Sequence, residues 1–192
     1  DPSKVAFGEV GASYGSFNTY RLQGQFGTGL IAKKFAFQGR LSKIESDGYI
    51  DRASSNLTSF FIAGAYYGDK SILRLNVFGG KEITYQSWNG VDEATLETDR
   101  TDNSAGTDYF QKEGDPYDKE VDNYRQDHYQ LIYSRQLGER WYINPALHYT
   151  RGYGYFEQYK VDEDLVDYQL DPVAVGADTV FSTDLVRRRW LD

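Results

Sequence analysis

The chain contains no cysteine and no methionine in 192 residues, and only four prolines and two histidines. Without cysteine there is no disulfide, no thiolate nucleophile and no thiolate ligand for a metal. The absence suits a chain that crosses an oxidising periplasm unfolded, although many cytosolic chains share it. No Gly-x-Ser-x-Gly, P-loop or Cys/His pairing occurs, so neither enzymatic activity nor a cofactor is expected. Long apolar runs are lacking too. No stretch approaches the roughly 20 residues of a membrane-spanning helix, whereas a barrel strand needs only about 9–11 residues with alternate ones apolar. Nothing basic and patch-like precedes Arg187, Arg188 and Arg189, and the net charge of −8 (pI near 4.8) argues against nucleic acid as a partner. The sequence opens at Asp1 without signal-peptide features, as expected of a mature chain or of a piece of a longer one.

What is abundant is tyrosine (17) and glycine (19), and the mean hydropathy is polar at −0.65. The apolar residues recur with period two. Tyr20, Leu22, Gly24 and Phe26 oppose Arg21, Gln23 and Gln25; Phe35, Phe37, Gly39 and Leu41 oppose Ala36, Gln38, Arg40 and Ser42. The pattern returns at Leu73–Val77, Tyr129–Tyr133 and Trp141–Tyr149. It predicts strands over 4–14, 18–27, 34–45, 57–68, 71–86, 127–137, 141–152 and 180–190. Tight connections at Gly68-Asp69-Lys70 and Leu137-Gly138-Glu139-Arg140 alternate with long polar ones at 46–56, 87–126 and 153–179. Short turns on one side and long loops on the other are the grammar of an outer-membrane barrel. The fold class expected is therefore all-β: an antiparallel up-and-down meander forming a partial transmembrane β-barrel of about eight strands, with residues 1–192 a single part of one barrel domain. Pro145, inside a predicted strand, should mark a bulge or the strand's end.

On this reading Arg40, Arg74 and Arg151, which alternate with apolar residues, face the lumen together with Gln130 and His148. There they would touch a plug or an anionic solute. Tyr14, Tyr66, Tyr67, Trp88, Trp141 and Tyr149, near strand ends, suit the aromatic girdles of the two membrane interfaces; sugar stacking or plain sheet packing is the alternative. His128 and His148 have no carboxylate at ligand spacing, so hydrogen bonding is expected of them and not a metal site. The acidic loop 87–126 offers Asp115, Asp118, Glu120 and Asp122 as the best oxygen ligands for Ca²⁺, but their spacing is not that of an EF-hand, and a solvated surface loop is the plainer expectation.

Several segments resemble the first part of the barrel in TonB-dependent outer-membrane receptors. They are Gly15-Ser16-Phe17-Asn18-Thr19-Tyr20, Ser46–Ala53, Phe78–Gly90, Asp122–Gln130 and Leu147–Lys160. They cover nearly the whole chain in the family's order. The resemblance implies a barrel of about 22 strands around an N-terminal plug with a TonB-contacting box, neither of which is in this sequence. It also implies the outer membrane of a Gram-negative cell, surrounding lipid, the receptor's own plug and TonB as partners, and a possible surface lipoprotein. The ending Arg187-Arg188-Arg189-Trp190-Leu191-Asp192 looks like a strand entered and abandoned, as expected of a fragment. The function implied is TonB-driven uptake of a scarce nutrient, such as a metal chelate or an oligomer. A passive porin fragment and a soluble, aromatic-rich β-sandwich that binds carbohydrate are the alternatives.

Overall fold

Alternation of small, aromatic and polar side chains commits each run to a strand, and each connection then folds a strand back onto the one before it. The computed structural model describes residues 2–192. Its strands are β1 (Ala6–Tyr14), β2 (Tyr20–Thr28), β3 (Phe35–Ser46), β4 (Ser55–Tyr67), β5 (Ser71–Tyr85), β6 (Val121–Leu137), β7 (Trp141–Ile143), β8 (Ala146–Asp164), β9 (Val173–Val175), β10 (Asp178–Val180) and β11 (Ser182–Leu191). A short helix α1 (Glu93–Thr98) and one 3-10 turn (Leu165–Tyr168) lie in the long connections. Nine strands form one antiparallel sheet in the order β1-β2-β3-β4-β5-β6-β8-β11, with β7 also on β6; β9 and β10 make a separate ribbon. The chain is thus an all-β antiparallel meander. Among the described residues β1 and β11 pair with nothing on their outer sides, so the sheet is open and not closed into a barrel.

One expectation about the strands is met in one of its two forms, and one needs correction. The register passes straight through Pro145: Ile143 faces Arg135 and Ala146 faces Ile132, with no residue gained or lost. The Tyr133 amide donates to the Pro145 carbonyl at 3.0 Å, and only the return bond is missing because proline has no N–H. Of the two outcomes expected at Pro145 there is no bulge, but the strand does end: β7 stops at Ile143 and β8 begins at Ala146 in the same register. The correction concerns length. β6 starts at Val121 and β8 runs to Asp164, so much of the polar stretch read as loop 153–179 is strand. These extensions carry polar residues on both faces, which erases the contrast that marks a half-buried strand.

The sheet is a single layer. Among the described residues no large side chain is fully buried, and the most buried apolar strand residues are small: Ala36, Ala63 and Ala65. A compact monomer of 22.0 kDa exposes roughly 9,300 Å², yet this chain exposes 13,347 Å². The excess of roughly 4,000 Å² belongs to a sheet with no second sheet against it. Within the layer, aromatic rings cover glycines on the next strand. Gly39 lies opposite Phe26 and Gly64 opposite Phe37, and a Cβ on Gly39 would fall within the Phe26 ring's contact distance. The ring supplies the contact area that glycine lacks.

Candidate functional site

Residues directly opposite each other on paired strands project to the same side, so the register sorts every strand residue onto one of two faces. One face carries Val10, Tyr14, Tyr20, Leu22, Phe26, Phe35, Phe37, Leu41, Phe60, Ile62, Tyr66, Leu73, Leu75, Val77, Tyr129, Leu131, Tyr133, Leu147 and Tyr149. These residues are largely exposed: Val10 is 89% exposed, Leu41 67% and Leu147 70%. A water-facing surface with so long a row of Leu, Ile, Val and Phe has no counterpart on a stable soluble monomer, whose apolar patches stop at a few hundred Å². Arg135 interrupts it on β6, near the short-turn end, where a long side chain can carry its charge outward along its apolar stem.

The apolar belt is slanted against the ladder. One hydrogen-bonded row runs Val10, Gly24, Leu41, Phe60, Gly79, Asp127, Arg151. It starts in mid-belt on β1, among Gly8, Ala12 and Tyr14, and ends on β8 beyond the belt, whose middle there is near Pro145. Over six strand-to-strand steps the belt therefore slides about six residues, or one per strand. At a rise of ~3.4 Å per residue and a spacing of ~4.8 Å between strands, that is a slant of about 35°. Strands of membrane barrels tilt by about 35–45° to the membrane normal.

Of the aromatic residues singled out from the sequence, Tyr14, Tyr66, Trp141 and Tyr149 share the apolar face. Tyr66 packs on Phe35 (ring centroids 5.2 Å) and Tyr149 on Tyr129 (6.0 Å). Tyr67 is on the other face, since neighbours in a strand alternate; its hydroxyl donates to the Pro2 carbonyl at 3.1 Å and Lys4 lies over its ring. Trp88 is exposed in the connection after β5 and belongs to neither face.

Arg40, Arg74, Gln130 and His148 lie together on the polar face, with Asn76 donating to Gln130 at 3.2 Å. Arg151 does not join them. It stands between Tyr149 and Tyr153 on the apolar face, opposite Asp127, because residues two apart on a strand share a side. The polar face also holds a ladder of rings that the sequence did not reveal: Phe61, Phe78, His128 and His148, from β4, β5, β6 and β8. Phe78 and His128 are 4.6 Å apart and nearly parallel, and the Thr150 hydroxyl bridges His128 Nδ1 (3.0 Å) and His148 Nε2 (2.8 Å). Next to the ladder is an open cavity of about 550 Å³ walled by Ser42, Ile44, Leu57, Phe78, Tyr124 and Gln126.

The acidic loop is held by its own carboxylates. β8 outruns β6, so its edge beyond Phe156 has no strand to pair with. Glu120 Oε2 accepts from the Tyr159 amide (3.3 Å) and from Gly106 N (2.8 Å), and Asp108 Oδ2 accepts from the Val161 amide (3.0 Å). Two side chains thus take the place of a strand, satisfying alternate amides of the edge. Lys160 closes the clasp on Asp108 at 3.2 Å. Behind it Arg52 bonds the Asn103 and Ala105 carbonyls, and the Tyr85 hydroxyl donates to the Tyr117 carbonyl at 2.6 Å. Burial pushes the Glu120 carboxyl above its usual range, against the two amides that favour its ionised form. Of the calcium candidates, Asp115 and Asp118 stay apart from this clasp, while Asp122 lies on the polar face of β6. No three acidic or histidine side chains among the described residues converge on one point. Comparison with protein-family models, curated proteins and solved structures gave no match.

Proposed function

We propose that the chain is a wall segment of a transmembrane β-barrel in an outer membrane, and that the barrel belongs to a receptor for energy-driven nutrient uptake. The observation that carries the barrel reading is the unpartnered apolar face and its slant of about one residue per strand across the register. Hydrocarbon would cover that face without any protein partner; backbone groups between β1 and β11 are satisfied within the ladder, and the two outer edges are where the rest of the barrel wall would pair, as lipid demands. The connections at one end are all short (29–34, 68–70, 138–140), while the other end carries the long ones (86–120, 165–181) beside two shorter ones at 15–19 and 47–54, an asymmetry that agrees with it. The receptor half of the proposal rests on the segments that resemble TonB-dependent receptors and on the ring-lined cavity of the polar face. A carbohydrate-binding sandwich would need a second sheet over the apolar face, and none exists among the described residues.

The natural absence of cysteine makes the test direct. Single cysteines replace the neighbours Gln130 and Leu131 in the membrane-embedded protein. Gln130→Cys is expected to react with a water-soluble maleimide and Leu131→Cys only with a lipid-soluble one; equal reaction of both with the water-soluble reagent rejects the barrel. Uptake that stops when the proton-motive force is collapsed supports the receptor, whereas ion conductance that persists without it identifies a passive channel.

A further inference from the structure

Immediately outboard of the apolar belt, on the same face and towards the long connections, the register gathers cations. Lys43, Lys81 and Arg125 occupy one row of β3, β5 and β6, and Arg151 stands in the row beneath, on β8. Lys43 is paired with Glu45 at 2.6 Å and Arg125 with Asp127 at 3.0 Å. Lys81 and Arg151 form no ion pair among the described residues. Four cations against two carboxylates leave this strip at +2, on a chain whose net charge is −8. Arg151 also borders an outward-facing hollow of about 390 Å³ whose other walls are Asp127, Tyr129, Tyr149 and Tyr153. Its guanidinium lies over the Tyr153 ring, 5.7 Å from the centroid, which holds it at the rim and leaves its N–H edges for an anion.

We propose that this strip, centred on Arg151 and Lys81, binds the anionic phosphate headgroup of a membrane lipid, with the acyl chains running down the apolar belt beside Tyr149 and Leu147. The proposal rests on the barrel reading, because only a bilayer meeting this face brings headgroups to that height. Charge complementarity selects an anionic headgroup: two unpaired cations lie where tyrosines mark the end of the hydrocarbon. A free phosphate would use the cations but have no use for the apolar wall below them.

The test uses the full gene product that carries this chain, purified in neutral detergent. Binding of short-chain phosphatidylglycerol, of phosphatidylcholine with the same tails and of inorganic phosphate is measured by native mass spectrometry and tyrosine fluorescence. Phosphatidylglycerol is expected to bind best, with about fivefold loss for Arg151→Gln and for Lys81→Gln, the equivalent of ~1 kcal/mol per cation near an anionic surface. Rising salt should erase the preference. Equal binding of the two lipids, unchanged binding by both variants, or displacement by inorganic phosphate at equal concentration overturns the proposal. Flotation with phosphatidylcholine vesicles is measured in parallel. Failure to float rejects the barrel reading itself, whereas flotation without headgroup preference rejects this site alone.

Discussion

Leu75 and Asn76 are neighbours on β5 that the register assigns to opposite faces, which makes them a sharp probe of the fold's central asymmetry. Leu75 sits between Gly64 and Leu131 on the apolar face, in the middle of the belt, and is 49% exposed. Asn76 lies between Ala63 and Gln130 on the polar one. In a bilayer, Leu75→Arg places a guanidinium in hydrocarbon at mid-depth, where such a change destabilises a barrel by about 2–4 kcal/mol. Asn76→Arg adds the same charge on a face already carrying Arg40 and Arg74, where the effect should be below ~1 kcal/mol. Reversible denaturant unfolding from lipid vesicles, followed by tryptophan fluorescence, measures both. If the chain were instead a water-soluble sheet, Leu75→Arg would relieve an exposed apolar patch and be neutral or stabilising. A destabilisation by Asn76→Arg equal to or larger than that by Leu75→Arg refutes the assignment of faces.

The clasp on β8 predicts that Glu120→Ala, which strands the Gly106 and Tyr159 amides, costs about 1–3 kcal/mol of local stability; hydrogen exchange at Tyr159 should quicken accordingly, while exchange in β3 stays unchanged. Because burial raises the Glu120 carboxyl above its ordinary 4.5, the folded loop binds the proton more tightly than the unfolded one, so this contribution is complete below about pH 4.5 and is lost as pH climbs through the raised value. Limited proteolysis of the loop should therefore accelerate as pH rises above about 4.5 in the native chain and not in Glu120→Gln. Pro145→Val restores the amide missing opposite Tyr133, and it should slow exchange around that pair and leave unfolding unchanged or improved by up to ~1 kcal/mol; a loss of stability would show that the register is not continuous there. Spin labels at positions 10 and 151, which share one ladder row, should differ in bilayer depth by about 16 Å, since six spacings of ~4.8 Å are inclined at about 35°; equal depths would mean an untilted sheet.

Much of the meander is legible in the sequence because one face is apolar over most of its length. Where Phe35, Phe37 and Leu41 alternate with Ala36, Gln38 and Arg40, period two leaves little doubt about either the strand or its faces. That signal disappears above Tyr129 and Tyr149, and there the reading ended β8 too early and began β6 too late. Helix α1 has no such announcement although Asp92 accepts from the Thr95 amide at 2.9 Å, since a cap before six residues with only Ala94 and Leu96 apolar, two apart, has no apolar stripe behind it. The clasp was illegible for another reason. Glu120 and Asp108 look like two more charges in an acidic loop until the outrunning edge of β8, some 40 residues away from Glu120, is brought beside them.

Arg151 shows how three separate facts must meet before a strand residue has an environment. Its parity, readable from the sequence, puts it with Tyr149 and not with His148. Its register, which needs the pairing of β6 with β8, sets it opposite Asp127 in the row that began at Val10. Its depth follows only from the slant of the belt across that row, because the same row that lies in mid-belt on β1 has left the belt by β8. An arginine with apolar neighbours at both sides of its strand looks, from parity alone, as if it must turn to the lumen to escape lipid. In the proposed barrel the slant removes the conflict: Arg151 would share the outward face with Leu147 and Tyr149 and still stand above the hydrocarbon.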